Sequence, residues 1–174
     1  PVFGIQAWVA LPRRHEETDP TSVHHPGASL PETEGEGVRL GVVAGAMHGA
    51  RSPVASFSDM FYAEATLAQG ARIELPAEFE ERAIYVAEGR IELAGQGFEV
   101  GQLLLVKPRE AVAIRANGPA RVMLLGGEPM DGPRHIWWNF VSSSKDRIDQ
   151  AKADWQAGRF RPVPGDLEFI PLPE

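Results

Sequence analysis

The chain has 174 residues, 43% of them hydrophobic and 24% charged, with a formal net charge of −7 and no cysteine. These values indicate one cytoplasmic domain and exclude disulfides, thiolate sites and a membrane span, because no window approaches about 18 uninterrupted apolar residues. Apart from the adjacent Arg13 and Arg14, the 17 Lys and Arg residues are scattered singly, which argues against direct binding to nucleic acid.

Residues 1–12 are predicted to form an opening strand with large apolar side chains, namely Phe3, Ile5, Trp8 and Leu11. The chain starts at Pro1 without an initiator Met, and we interpret it as the interior of a longer protein. Residues 13–37 are rich in Pro, Glu, Thr, Ser and Gly. They are therefore predicted to form a surface loop with little regular structure.

Residues 38–141 alternate short apolar runs with turn signals, which is typical of an antiparallel sandwich or jelly roll. The predicted strands are Val38 to Met47, Met60 to Leu67, Arg82 to Val86, Arg90 to Ala94, Gln102 to Val106, Ala111 to Arg115, Arg121 to Leu125 and Ile136 to Val141. The sequence therefore predicts an all-β domain.

Residues 142–174 are predicted to form one helix and an extended tail. The helix runs from Lys145 to Trp155, and the hydroxyl of Ser143 is expected to cap it by accepting the amide hydrogen of Asp146. The tail is rich in proline and carries Phe160, Phe169, Ile170 and Leu172. Large apolar groups on an extended segment must lie against some apolar surface.

Three separated motifs resemble the pirin family: Gly4 to Pro12 (GIQAWVALP), Ala44 to Val54 (AGAMHGARSPV) and Arg134 to Ser144 (RHIWWNFVSSS). The resemblance covers almost the whole chain. It implies a cupin-type β-sandwich, the second of two tandem cupin domains. In pirins the first domain holds iron or another divalent metal through three His and one Glu. Members are associated with quercetin 2,3-dioxygenase activity and with transcriptional co-regulation.

The metal-ligand positions of a cupin are degenerate in this chain. A metal-binding cupin carries G(x)5HxH(x)3-4E(x)6G on its first hairpin, because imidazole and carboxylate donors must converge on one ion. Counting from Gly70 places Pro76 and Glu78 where the His pair belongs, and counting back from Gly89 places Arg82 at the Glu. Proline has no ligating atom and arginine is a permanent cation, so we expect no metal or other cofactor in this chain.

The second cupin motif, PxGxxH(x)3N, is equally incomplete, since Ala113 stands where its His belongs and Asn117 falls at the expected Asn. We interpret Glu78 and Arg82 as an ion pair at the mouth of the barrel. The alternative is a small-molecule pocket formed by Glu78, Arg82 and Asn117, in which Arg82 anchors the ligand. His24 and His25 are interpreted as solvent-exposed loop residues, and His48 and His135 as packing residues.

The degenerate positions predict a non-catalytic, metal-free C-terminal cupin half. It would support an N-terminal cupin half that holds the metal, expected to be iron, and that half would be its partner. Without it, the apolar termini are expected to drive self-association. Two alternatives remain open: part of a metal-dependent, quercetin 2,3-dioxygenase-like oxygenase whose pocket this half closes on one side, and a protein-interaction or transcriptional co-regulator module using the acidic loop Glu32 to Glu36.

Overall fold

The chain divides into two compact units. The computed structural model describes residues 4–162, 165 and 168–173. One unit spans Asp19–Pro129, called here the sandwich unit, and the other combines Pro1–Thr18 with Met130–Glu174, called the terminal unit. These units do not follow the segment bounds predicted from the sequence. Residues 19–37 of the predicted surface loop belong to the sandwich unit, and residues 130–141 of the predicted β-sandwich belong to the terminal unit with the helix.

The sandwich unit consists of antiparallel strands in two sheets. The strands are β1 Glu32–Gly35, β2 Val38–Met47, β3 Ala50–Arg51, β4 Met60–Leu67, β5 Arg72–Leu75, β6 Glu81–Glu88, β7 Arg90–Leu93, β8 Gln96–Glu99, β9 Leu103–Val106, β10 Val112–Ala116 and β11 Ala120–Gly127. The larger sheet has the order β1-β2-β4-β11-β6-β9, with β3 paired to β2, and the smaller sheet has the order β5-β10-β7-β8. The prediction of an all-β antiparallel sandwich is confirmed.

Side-chain alternation explains why these segments form two packed sheets. Along β4, every second residue is buried, from Phe61 to Leu67. A strand turns alternate side chains to opposite faces, so this pattern gives the larger sheet one apolar face. The smaller sheet contributes Ile73, Ile91 and Ile114 to the same core. Each such side chain stabilises the fold by about 1.5–3 kcal/mol when fully buried.

Several short strands were not predicted. Strands β1, β5 and β8 have four residues each, and β1 has the sequence ETEG with all side chains exposed. A strand of that composition carries no apolar signal of its own. It forms because Thr33 pairs with Leu40 of the long strand β2, which gives part of the predicted surface loop 13–37 a regular structure.

The terminal unit contains a hairpin, a helix and a short 3-10 turn at Arg13–His15. Strands β12, His135–Trp137, and β13, Phe140–Ser142, replace the single predicted strand from Ile136 to Val141. The chain reverses at Trp138, whose φ of 49° is in the left-handed region that a two-residue hairpin turn uses. The predicted extended tail falls partly outside the described residues, as does Phe3 of the opening strand.

Helix α1 spans Lys145–Gln156, and its N-cap is Ser144, one residue later than predicted. Arg147 donates its backbone N–H to Ser144 Oγ, whereas the hydroxyl of Ser143 donates to a carboxylate oxygen of Glu16. The predicted cap residue was wrong because that hydroxyl has a tertiary partner that the local sequence does not reveal. Among the described residues, no helix combines the length and apolar character needed to cross a bilayer.

Replacement of Ser144 with alanine is expected to lower the free energy of unfolding by about 1 kcal/mol, the usual contribution of an N-cap. Thermal unfolding followed by tryptophan fluorescence measures it in the terminal unit, which contains Trp8, Trp137, Trp138 and Trp155. The matched variant Ser144→Asp keeps a capping oxygen and should unfold like the original chain. Equal losses in both variants would contradict the assigned cap.

Candidate functional site

Arg82, which motif spacing assigns to the carboxylate position of a metal-binding cupin, lies inside the sandwich. Strand β6 turns Arg82, Ile84 and Val86 towards the core, and Arg82 is only 4% exposed. On either side it is registered with Val106 of β9 and Gly126 of β11. The alternation of side chains along β6 therefore buries the permanently charged guanidinium of Arg82. We call the region around Arg82 the mouth of the sandwich.

The Arg82 guanidinium is held by backbone carbonyl groups. Its Nη1 donates to the carbonyl oxygen of Pro76 at 3.0 Å and its Nη2 to that of Lys107 at 2.5 Å. Its buried Nε has no hydrogen-bond partner among the described residues. Arg82 thus connects the end of β5 to the end of β9, and Pro76, which stands at the first His position, takes part through its backbone oxygen.

The predicted ion pair between Glu78 and Arg82 does not form. Glu78 is exposed, and none of the ion pairs among the described residues includes either residue. The two side chains point in different directions. Arg82 points from β6 into the sandwich, whereas Glu78 lies in the loop between β5 and β6 with its side chain in solvent.

The structure does not bring Asn117 together with Arg82 and Glu78. Val112 pairs with Leu75, next to Pro76, and Asn117 lies five residues further along the chain. At 3.3 Å per residue, that separation is about 16 Å. Asn117 instead donates its backbone N–H to the carbonyl oxygen of Arg90 at 3.0 Å.

Ala113 occupies the outer face of the smaller sheet. It is registered with Glu74, which is exposed, whereas its neighbour Ile114 is completely buried. The side chains that face the interior from β10 are thus those of Val112, Ile114 and Ala116. The interior of the second hairpin is apolar at each of these positions.

The residues at the mouth do not fit a divalent cation. The part of the chain that the structure describes contains no group of three or more His, Cys, Asp or Glu side chains placed to hold a metal. A cation near Arg82 would be repelled by the guanidinium, which also occupies the nearest carbonyl oxygens. His48, interpreted from the sequence as a packing residue, lies exposed in the turn between β2 and β3, with its Nε2 2.9 Å from the carbonyl oxygen of Glu74.

A second polar centre lies in the terminal unit and was not predicted. The Nε of Arg134 is 2.6 Å from Glu16 Oε1, and these side chains are only 6% and 13% exposed. Arg134 also pairs with Asp131 at 2.5 Å and donates to the carbonyl oxygen of Leu11 at 2.8 Å. The family-like motif from Arg134 to Ser144 was the only sequence signal for this centre, but the burial of Arg134 depends on residues more than 100 positions away.

Glu16 is ionised and multiply bonded in this centre. Burial raises its pKa, but the backbone N–H and hydroxyl of Ser143 and the guanidinium of Arg134 lower it, and the net pKa is below the ordinary 4.5. Glu16 accepts the Ser143 backbone N–H at 3.0 Å and the Ser143 hydroxyl at 2.9 Å. The carboxylate therefore attaches the first segment of the chain to the start of helix α1.

The terminal unit also exposes apolar side chains. Trp8 is 53% exposed, Ile136 67% and Phe169 60%. A cleft of about 510 Å³ lies on this surface, lined by Trp8, Val9, Ile136 and Val141, with Arg134 and Glu16 at its polar end. Trp8, Val9 and Ile136 line the same cleft, and exposed apolar side chains grouped in this way are typical of interaction surfaces. We call this surface the apolar face of the terminal unit.

Comparison with known proteins assigns this arrangement to a family. The family model described as the pirin C-terminal cupin domain matches residues 62–161. A pirin-like protein of Caulobacter vibrioides is 51% identical over 173 residues, a match that covers 98% of this chain and 60% of that protein. The Pseudomonas aeruginosa protein named "Putative quercetin 2,3-dioxygenase PA1205" is 32% identical, with coverage of 91% and 50%.

A solved structure shares the same fold over nearly the whole chain. The crystal structure of quercetin 2,3-dioxygenase from Acinetobacter baumannii at 1.78 Å resolution superposes with a TM-score of 0.83 and 26% identity, covering 96% of this chain and 57% of that one. The chain therefore spans only about half to three fifths of the length of these relatives.

Proposed function

Because the chain belongs to the pirin family, as its C-terminal cupin half, we propose that it is a metal-free, non-catalytic half that supports a metal-binding N-terminal half. The observation that carries this proposal is Arg82. A guanidinium held by the carbonyl oxygens of Pro76 and Lys107 fills the place where the carboxylate ligand of a metal-binding cupin would stand. Catalysis by the whole protein would then depend on a metal held elsewhere.

The apolar face of the terminal unit is the proposed contact with the N-terminal half. Ile5, Trp8 and Val9 are each at least 40% exposed, and they precede the polar centre that fixes Glu16 to Arg134. This polar centre would hold the opening segment in a defined position before a partner binds. Association would then lose less conformational entropy than it would with a mobile segment. Pre-ordering of that kind raises the affinity of an interface.

The C-terminal half would contribute to catalysis through structure rather than through reacting groups. The C-terminal half would hold the N-terminal half in its folded arrangement and close one side of a pocket for a flavonol-like substrate. Such a pocket supplies positioning and exclusion of water, while the metal of the other half would supply the redox chemistry. No residue of this chain is assigned a chemical step.

A mixing experiment tests the proposal. The part of the Caulobacter vibrioides pirin-like protein that lies outside the match to this chain is purified as the N-terminal half, alone and with the 174-residue chain. We expect iron, nickel or copper at below about a tenth of an equivalent in this chain, because a facial metal site needs several converging donors. We expect metal in the N-terminal half, and quercetin-dependent oxygen uptake that rises when both halves are present.

The contact surface has its own matched variants. Trp8→Asp should weaken the association of the two halves at least about tenfold, as truncation of a buried aromatic contact does. Val23→Asp replaces a residue that is 69% exposed in the sandwich unit and should leave the association unchanged. Stoichiometric metal in this chain that is lost in Glu78→Gln would overturn the metal-free role, and equal binding by both variants would overturn the proposed contact.

A further inference from the structure

A cleft of the sandwich unit opens at the edge strand β9, between its two sheets. It measures about 640 Å³ and lies where the edge strand β9 of the larger sheet faces β8 and β10 of the smaller one. Drug-sized ligands bind in pockets of roughly 300–1,000 Å³. The opening exists because β9 ends the larger sheet, so that no further strand closes the gap to β8.

Inward-facing apolar side chains form the walls of this cleft. Leu104 and Val106 come from β9, registered with the buried Ile84 and Arg82, while Phe98 of β8 is registered with the buried Ile91. Leu93 and Val112 are two further partly buried apolar side chains of the lining, whose more exposed apolar residues include Leu103 and Leu105. The five partly buried side chains pack against the core, so an apolar ligand would complete their burial.

The rim of the cleft carries an excess of positive charge, although the whole chain has a net charge of −7. Its charged lining residues are Arg72, Lys107 and Glu110. Neither cation takes part in an ion pair among the described residues. Two unpaired cations against one carboxylate favour an anionic group at the entrance.

From this charge pattern and these walls we propose that the cleft binds a small aromatic carboxylate, with its ring system between the sheets and its carboxylate at the Arg72 and Lys107 rim. The proposal goes beyond the support of an N-terminal half and does not depend on it. A cleft of this volume fits two fused rings with room for substituents.

The test uses 2-naphthoate and its neutral counterpart 2-naphthylmethanol with the 174-residue chain. Methyl NMR spectra during titration should show saturable shifts at Leu93, Leu104, Val106 and Val112. We expect 2-naphthoate to bind about five times more tightly than the alcohol, with the preference falling as salt concentration rises.

Variants at the rim separate a specific site from general apolar binding. Arg72→Gln should weaken 2-naphthoate about threefold and leave 2-naphthylmethanol unchanged, since one exposed charge contributes modestly. Arg115→Gln is the matched control, because Arg115 is the cross-strand neighbour of Arg72 and is not among the residues that line the cleft. It should alter neither affinity.

Three outcomes would overturn the proposal. The first is the absence of shifts at the wall methyl groups at millimolar 2-naphthoate. The second is a response confined to the apolar face of the terminal unit. The third is a set of shifts at Leu103 and Leu105 that follow protein concentration alone, which would assign the exposed edge strand to contact with a second copy. These outcomes are independent of the mixing experiment, because they are read from this chain without an N-terminal half.

Discussion

Replacement of Arg82 with alanine is expected to lower the free energy of unfolding of the sandwich unit by about 4 kcal/mol. The substitution removes two hydrogen bonds from a charged donor, each contributing about 1.5–3 kcal/mol. It also leaves the two carbonyl oxygens inside the fold, where water does not fully replace the lost donor. The loss of the buried alkyl chain adds to this cost. Because the substitution also removes a buried charge without a counter-ion, part of this cost is offset, and the expected loss is smaller than the sum of the hydrogen-bond and alkyl-chain contributions.

Urea unfolding followed by far-ultraviolet circular dichroism and tyrosine fluorescence measures this effect, because both tyrosines, Tyr62 and Tyr85, lie in the sandwich unit. Arg115→Ala removes an exposed cation from β10 of the same unit and should change the free energy of unfolding by less than about 0.5 kcal/mol. Arg82→Lys keeps the charge but cannot bridge both carbonyl groups with a planar fork, so it should be intermediate. Equal stability of Arg82→Ala and Arg115→Ala would contradict the structural role assigned to Arg82.

Replacement of Glu16 with glutamine is expected to lower the free energy of unfolding of the terminal unit by about 3 kcal/mol at pH 7. The nearly buried Arg134 loses one of its two carboxylate partners, and breaking a buried pair costs about 3–5 kcal/mol when no counter-ion remains. Asp131 remains beside Arg134, so we expect the lower end of that range. Tryptophan fluorescence during urea unfolding measures it.

The same substitution should reduce the acid sensitivity of the terminal unit. The folded pKa of Glu16 lies below its ordinary 4.5, so its stabilising contribution is complete above the unfolded pKa and is lost as the pH falls through the folded pKa. Hydrogen bonds from Arg134 and from the backbone N–H of Arg13 lower the pKa of Asp131 in the same direction, so some acid sensitivity should persist in the variant.

Glu17→Gln provides the control for both measurements. Glu17 is the adjacent carboxylate, and it pairs with Arg147 at 2.8 Å through side chains that are 69% and 43% exposed. An exposed pair of this kind contributes at most about 1 kcal/mol. Stability profiles of Glu16→Gln and Glu17→Gln that coincide between pH 3 and pH 7 would contradict the polar centre as described.

Local sequence patterns were sufficient for the long strands and the helix. Strands β2 and β4 have the predicted bounds, and α1 begins at the predicted Lys145. Each carries its own signal, since alternating burial or a capped helical face can be read from neighbouring residues. Strands β1 and β8 lack such a signal and form by pairing with β2 and β7, whereas β5 alternates in burial but has only four residues.

The sequence by itself determined the fold class and the family, and it predicted the residues at the cupin ligand positions, because residue type at a fixed spacing decides which donor atoms Pro76, Arg82 and Ala113 can offer. Tertiary structure alone decided what these side chains contact. It turned Arg82 towards two carbonyl groups rather than towards Glu78, and it joined Glu16 to Arg134 across the chain. Side-chain direction and long-range partners follow from strand parity and packing, which residue spacing does not specify.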